Sequence, residues 1–289
     1  MSQLKSQPIF RFAPSPNGKL HLGHAYSALL NQKMAREAGG KLLLRIEDID
    51  TVRCTPELET QMLDDLEWLG IEWDEEPTRQ SENFENYRNT LKKLQNAGLV
   101  YPGFMSRGEV NKIVSEWENS GKLWPRDPDG TPHYPPHDRK LNDKQRFEML
   151  GSGNPNSYRF DMSKALETLT GKLQWQEKGA PVIADPQTWG DVALARRDIP
   201  TSYHLACVLD DAAQNITHII RGKDLYFATA IHRLLQELLG LDAPQYHHHG
   251  LILDDDGQKL SKSRRDTSLA DLRKLGKSPV DIKNLVGFS

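Results

Sequence analysis

Two short apolar runs, PIFRF at 8–12 and KLLLRIED at 41–48, enclose a polar loop and a stretch with helical spacing, LGHAYSALLNQKMAREA at 22–38. APSPNG supplies turn chemistry after the first run, and Gly39-Gly40 stops the helix before the second. Strands joined through a helix lie parallel, with a right-handed crossover, rather than pairing as a hairpin. The chain is therefore expected to be an α/β protein on a parallel sheet. Ligands of such sheets gather at the carboxyl ends of the strands, where RFAPS and RIED fall.

Two helices follow. Thr55, Pro56 and Glu57 read as N-cap and acidic first turn, Gly70 as the stop, and Leu58, Met62, Leu66 and Leu69 as the buried stripe. A second helix is expected from near Ser81 to Gly98, with Phe84, Tyr87, Leu91 and Leu94 inward. From 100 to 184 the texture changes, and WPRDPDGTPHYPPHDR is rich in Pro, Gly and Asp. The α/β texture resumes with DVALARRD, YHLACVLDD, THIIRG and the helical DLYFATAIHRLLQELLG. The expected division is 1–99 and 185–256 as two halves of one α/β domain, 100–184 as a loop-rich insertion, and 257–289 as a loop with a short helical C-terminal segment.

No run of 18 apolar residues is present, which excludes a membrane helix, and MSQLKSQPIF lacks an apolar signal core, so a cytoplasmic protein is expected. Cys54 and Cys207 lie far apart and read as small thiols in a reducing compartment. A net charge of −3 hides an asymmetry: residues 47–86 hold 14 acidic and 2 basic side chains, residues 257–289 hold 8 basic and 3 acidic ones. A basic end suits a polyanion, and equally an ordinary solvated helix surface.

His21 and His24 fall three apart at the start of the first helix, where backbone N–H groups and the helix dipole favour phosphate. Gly23 between them permits close approach of a ligand to the backbone. GQKLSKSRR at 257–265 sets Lys259 and Lys262 around a serine, point charges on flexible stems suited to pyrophosphate. Either motif alone is commonly plain surface, but the pair in this context is far more specific. His247-His248-His249 would alternate faces in a strand, so a short strand is expected there rather than a metal site, and DDDG at 254–257 is expected to be a turn.

RFAPSPNGKLHLGH and KLSKS resemble the two signatures of class I aminoacyl-tRNA synthetases, and RFAPSPNG, RIEDID, YHLACVLDD and THIIRGKDL are similar to the glutamyl-tRNA synthetase group. The resemblance runs over about 8–100 and 185–265. It implies a Rossmann-type catalytic domain split by an acceptor-stem-like insertion. It also implies glutamate binding by Arg11, Phe12, Ala13, Pro14, Ser15, Glu47, Tyr203 and Arg221, and ATP binding by His21, Gly23, His24 and Lys262. His21, His24, Lys259 and Lys262 are then the catalytic set. The reaction the resemblance implies is attack of the glutamate α-carboxylate on the α-phosphorus of ATP, carried as its Mg2+ complex, with Arg11 and Arg221 as guanidinium forks for the dicarboxylate.

Only residues 264–289, 26 in number, follow KLSKS, fewer than an anticodon-binding domain needs. That resembles the truncated paralogues that load glutamate onto the queuosine base of tRNA(Asp) without needing tRNA for activation. The expected partners are L-glutamate, ATP and queuosine-containing tRNA(Asp), with no membrane, for a monomer. A shortened glutamyl-tRNA synthetase charging a 3′ end, or a catalytically silent glutamate- or RNA-binding module, are the alternatives. Relatives carry zinc in the insertion on a CxC pair and a later YxxxC. Here Gly103, Met105 and Asp138 stand where those cysteines occur, so no structural zinc is expected.

Overall fold

The computed structural model describes residues 7–153, 155–196, 198–252 and 267–288. In chain order, β1 (Ile9–Phe12), α1 (Leu22–Glu37) and β2 (Lys41–Ile46) form the expected βαβ unit, with β1 and β2 parallel. Next come α2 (Pro56–Leu69), β3 (Thr78–Arg79), α3 (Phe84–Asn96), β4 (Val100–Gly103), α4 (Arg107–Asn119), α5 (Asp143–Gly151), β5 (Ser157–Phe160) and α6 (Met162–Glu167). The chain continues through β6 (Gln174–Glu177), β7 (Ala180–Ile183), β8 (Ala193–Arg196), α7 (Tyr203–Ala213), β9 (His218–Gly222), α8 (Thr229–Leu239), β10 (Gln245–His249), α9 (Leu269–Lys274) and α10 (Pro279–Leu285).

The helix signals in the sequence act locally. The Thr55 hydroxyl accepts from the Leu58 N–H, Pro56 opens α2, and Gly70 closes it in a left-handed conformation at φ 82°. His247-His248-His249 lies in β10, as its alternation predicts.

The large sheet has seven strands in the order β3-β2-β1-β9-β10-β6-β7, parallel except for the β6–β7 hairpin. Period-two alternation sorts its side chains. Leu42, Leu44, Ile46, Phe10, Phe12 and Ile220 pack with α1, α2, α9 and α10, while Leu43, Ile219 and Tyr246 pack with α3, α7 and α8. The same alternation sends Arg11 and Arg45 to the α7 side. β1 lies between β2 and β9, so strand order reverses direction there and opens a crevice.

A smaller antiparallel sheet, β4-β5-β8, forms from the middle of the chain. Sheet membership does not follow the boundary expected at residue 184: β6 and β7 lie before it yet join the large sheet, and β8 lies after it yet joins the small one. Residues 100–184 also hold more helix than their loop-rich composition implies. Capping boxes at Ser106/Glu109 and Asn142/Gln145 start α4, of 13 residues, and α5, of 9.

Around Gly103, Met105 and Asp138, hydrogen bonds tie neighbouring segments together. Asp138 accepts from the Tyr134 hydroxyl and, at 2.6 Å, from the Phe104 N–H, while Tyr134 Oη accepts from the Met105 N–H at 2.9 Å. The Arg159 guanidinium covers the Tyr134 ring at 3.7 Å. A Cβ at Gly103 would stand 3.0 Å from both Arg159 Cδ and Tyr134 Oη, so any larger residue would press these side chains aside. Among the described residues no group of three His, Cys, Asp or Glu side chains is placed to hold a metal. No described helix is long and apolar enough to cross a membrane.

Candidate active site

A cleft of about 630 Å³ opens where β1, β2, β9 and β10 end. Arg11, Phe12, Ala13, Pro14 and Ser15 from the β1 end line it, with His21, Gly23 and His24 from the start of α1. Glu47 follows β2, Tyr203 opens α7, and Arg221 sits on β9. The eleven expected residues that are described therefore share one cavity, although they span positions 11 to 221. A larger recess, about 1110 Å³, lies beside α4 between Trp117 and Trp124 and contains none of them. Lys259 and Lys262 lie outside the described residues. The chain on either side is placed, with Leu251 and Ile252 lining the cleft and Ser268 bridging His21.

The two histidines fold the helix start. The His21 ring accepts from the Gly23 N–H through Nδ1 at 3.1 Å, and the His24 ring accepts from the His21 N–H through Nδ1 at 3.2 Å. An accepting Nδ1 places the proton of the neutral ring on Nε2. One nitrogen of each ring thus caps α1 and the other is a donor. A Cβ on Gly23 would come to 3.0 Å from the His21 ring, which explains glycine between them.

Behind the β1 end lies a charge cluster absent from the sequence reading. Asp211 on α7 accepts from Arg11 Nε at 3.0 Å and from Arg45 Nη1 at 2.7 Å, with all three side chains buried. Burial opposes the Asp211 charge, but the two guanidiniums outweigh it and hold the carboxyl below its ordinary value. Burial likewise opposes the Arg11 charge, and Asp211 overcomes it. Arg45 also meets Glu47 at 3.3 Å, and burial raises the Glu47 pKa against the pull of Arg45 and Arg11. Cys207 Sγ lies 3.8 Å from both arginines, and burial pushes its thiol up to about 12, so it is inert. Arg11 uses Nε and Nη2 on these partners, and its Nη1 donates to no described residue.

Arg221 differs from the fork expected of it. A guanidinium has five N–H donors. Nε donates to His248 Nε2 at 3.0 Å, Nη1 to Tyr203 Oη and His232 Nδ1 at 3.2 Å each, and Nη2 to Leu225 O at 3.2 Å and Thr229 Oγ1 at 2.7 Å. All five are engaged by protein. Arg221 contributes charge to the cleft and holds Tyr203, and the open donors belong to Arg11. The sequence could not reveal this, because His232 and His248 read as ordinary members of an apolar helix and a strand.

Buried His232 and His248 contact that arginine, and half-buried His204 lies beside His232. Burial and the Arg221 charge bring His204 and His248 down to about 4 and His232 well below its ordinary range. Unfolded histidine titrates near about 6.5. Between those values the unfolded chain binds more protons than the folded one, so stability rises with pH. The unfolding midpoint is expected to fall as pH drops from about 6.5 to about 4. A flat calorimetric midpoint across that window would show that these rings are not held neutral.

Against known proteins, residues 9–287 match the family model described as tRNA synthetases class I (E and Q), catalytic domain. A glutamyl-Q tRNA(Asp) synthetase of Rhodobacter capsulatus is 48% identical over 97% of this chain and 100% of its own length. A glutamate–tRNA ligase of Synechococcus is 38% identical over 96% of this chain but 58% of its own length. The solved structure of a glutamate tRNA ligase from Elizabethkingia meningosepticum, in complex with its amino acid, superposes with a TM-score of 0.74 at 31% identity, covering 94% of this chain and 54% of that one. The chain thus spans little more than half the length of the glutamate–tRNA ligases it matches.

Proposed function

Because the chain belongs to the class I tRNA synthetases of the E and Q type, ligases that form an aminoacyl-adenylate, we propose that its cleft activates L-glutamate with ATP and passes it to queuosine in the anticodon of tRNA(Asp). The observation that carries the reading is the convergence of Arg11–Ser15, the HLGH segment, Glu47, Tyr203 and Arg221 on one cavity. Arg11, Arg221 and Glu47 lining one cleft suit an amino acid with two carboxylates and one ammonium.

The glutamate α-carboxylate oxygen bonds to the α-phosphorus of MgATP as the bond to pyrophosphate breaks. A nucleophile on the modified base then attacks the acyl carbon and AMP leaves. No protein nucleophile takes part. Rate comes from positioning and from charges that meet the phosphates as charge builds on them. The Nε2–H groups of His21 and His24 serve the nucleotide, with Lys259 and Lys262 serving the departing pyrophosphate. Similarity to the Rhodobacter protein over its full length supports the tRNA(Asp) acceptor over a tRNA 3′ end. Following sheet membership, the insertion is proposed to comprise β4 to α6 and to recruit β8.

Glutamate-dependent exchange of labelled pyrophosphate into ATP without tRNA tests activation, and transfer of labelled glutamate to queuosine-containing tRNA(Asp), unmodified tRNA(Asp) and tRNA(Glu) tests the acceptor. Exchange without tRNA, and transfer to the queuosine-containing species alone, is expected. Absence of exchange under all conditions overturns the enzyme reading, and exchange that strictly requires tRNA(Glu) points to a shortened glutamyl-tRNA synthetase.

A further inference from the structure

The His248 ring that receives the Arg221 Nε–H is itself held from outside the cleft. Its accepting Nε2 fixes the proton on Nδ1, which donates to Glu177 Oε2 at 2.7 Å. Glu177 Oε1 accepts from the His248 N–H at 2.8 Å, so one carboxylate grips both the backbone and the ring of that residue. Burial opposes the Glu177 charge, but these hydrogen bonds outweigh it and hold the carboxyl below its ordinary value.

Glu177 ends β6, immediately before the turn made by Lys178 at φ 50° and Gly179 at φ 81°. That turn closes the β6–β7 hairpin at the edge of the large sheet. Neither Glu177 nor His248 lines the cleft. The chain of contacts therefore crosses two strands, from β6 through β10 to β9, and ends at Tyr203 Oη. That hydroxyl accepts from Arg221 and donates to no described residue, so its O–H remains for a carboxylate in the cleft.

We propose that Glu177 and His248 are positioning residues, which lock the orientation of Arg221 and through it aim the Tyr203 O–H at a carboxylate of the bound amino acid. This rests on the glutamate reading above. Without Glu177 the imidazole is free to adopt the other tautomer, whose Nε2–H would face the Arg221 Nε–H and displace the guanidinium. The edge hairpin thereby tunes amino-acid affinity and leaves the nucleotide side untouched.

The test uses the full chain in tRNA-independent pyrophosphate exchange, with KM for glutamate, KM for ATP and kcat measured separately. Glu177→Gln removes one acceptor. His248→Asn keeps the donor toward Glu177 but loses the acceptor for Arg221. His248→Gln keeps an acceptor near the Nε2 position. KM for glutamate is expected to rise about 10-fold or more in Glu177→Gln and His248→Asn, the loss of a hydrogen bond to a charged group, with KM for ATP and kcat within about 3-fold. His248→Gln should stay within about 3-fold of the parent, which a purely structural role would not predict.

Unchanged glutamate KM in Glu177→Gln, or equal damage to both substrates in every variant, overturns the proposal. Because Glu177→Gln and the histidine pair are independent arms, failure of one variant to fold leaves the other decisive. An inactive parent protein would instead overturn the glutamate reading itself.

Discussion

Asp211→Ala is expected to lower unfolding stability by about 3–5 kcal/mol, because it removes the carboxylate shared by two buried guanidiniums and leaves only Glu47 beside Arg45. Arg11 and Arg45 are 4% and 1% exposed, so water cannot replace the carboxylate without opening the sheet. Asp211→Asn keeps an acceptor and should cost less. The folded pKa of Asp211 lies below its ordinary value, so its contribution is complete above the ordinary carboxylate range and fades only as pH falls through that lower value. Denaturant unfolding at neutral pH is therefore the appropriate measurement. Parent-like stability in Asp211→Ala would mean that the cluster is not an electrostatic brace.

Lys262→Ala is expected to slow glutamate-dependent exchange by about 10²–10³-fold, the range for losing one preorganised group that meets transition-state charge. KM for glutamate should hardly move, because the proposed amino-acid walls come from β1, β2, α7 and β9. The motif suggests this role, and the neighbouring chain supports it: Ile252 lines the cleft and Ser268 bridges His21. A large rise in glutamate KM with an unchanged rate would assign the lysine to substrate binding instead.

Local punctuation made much of this fold legible. Thr55-Pro56 and Gly70 bound α2, and Gly39 marks the turn after α1. Cleft residues were legible where a motif keeps them close in sequence, as in Arg11–Ser15 and His21–His24. What sequence could not supply is pairing at a distance. Asp211 was visible only as one acid of a charged pair ending an apolar helix, and Arg45 as the charge in a buried strand; the shared face that joins them depends on strand order. Glu177 sits in QWQEKGAPV, a stretch without strong alternation, and gains meaning only when β6 is laid beside β10. The single available signal was Lys178-Gly179, a two-residue hairpin turn.

The bridge between His21 and Ser268, continued by the hydrogen bond from the Leu269 N–H to Leu20 O at 2.8 Å, bears on how the protein is made. Phe10 pairs with His218 and Arg11 with Asp211, so the cleft closes through contacts about two hundred residues apart. A nascent chain emerging from the ribosome builds β1, α1 and β2 before α9 and α10, and these elements meet the last of their partners only when those helices have been synthesised. Loop-closure entropy for these contacts falls on the slow steps of folding. Until α10 arrives, the part of α1 that packs against it remains uncovered, although the sheet already covers the rest of its apolar face. That interval is when the growing polypeptide is most in need of a chaperone.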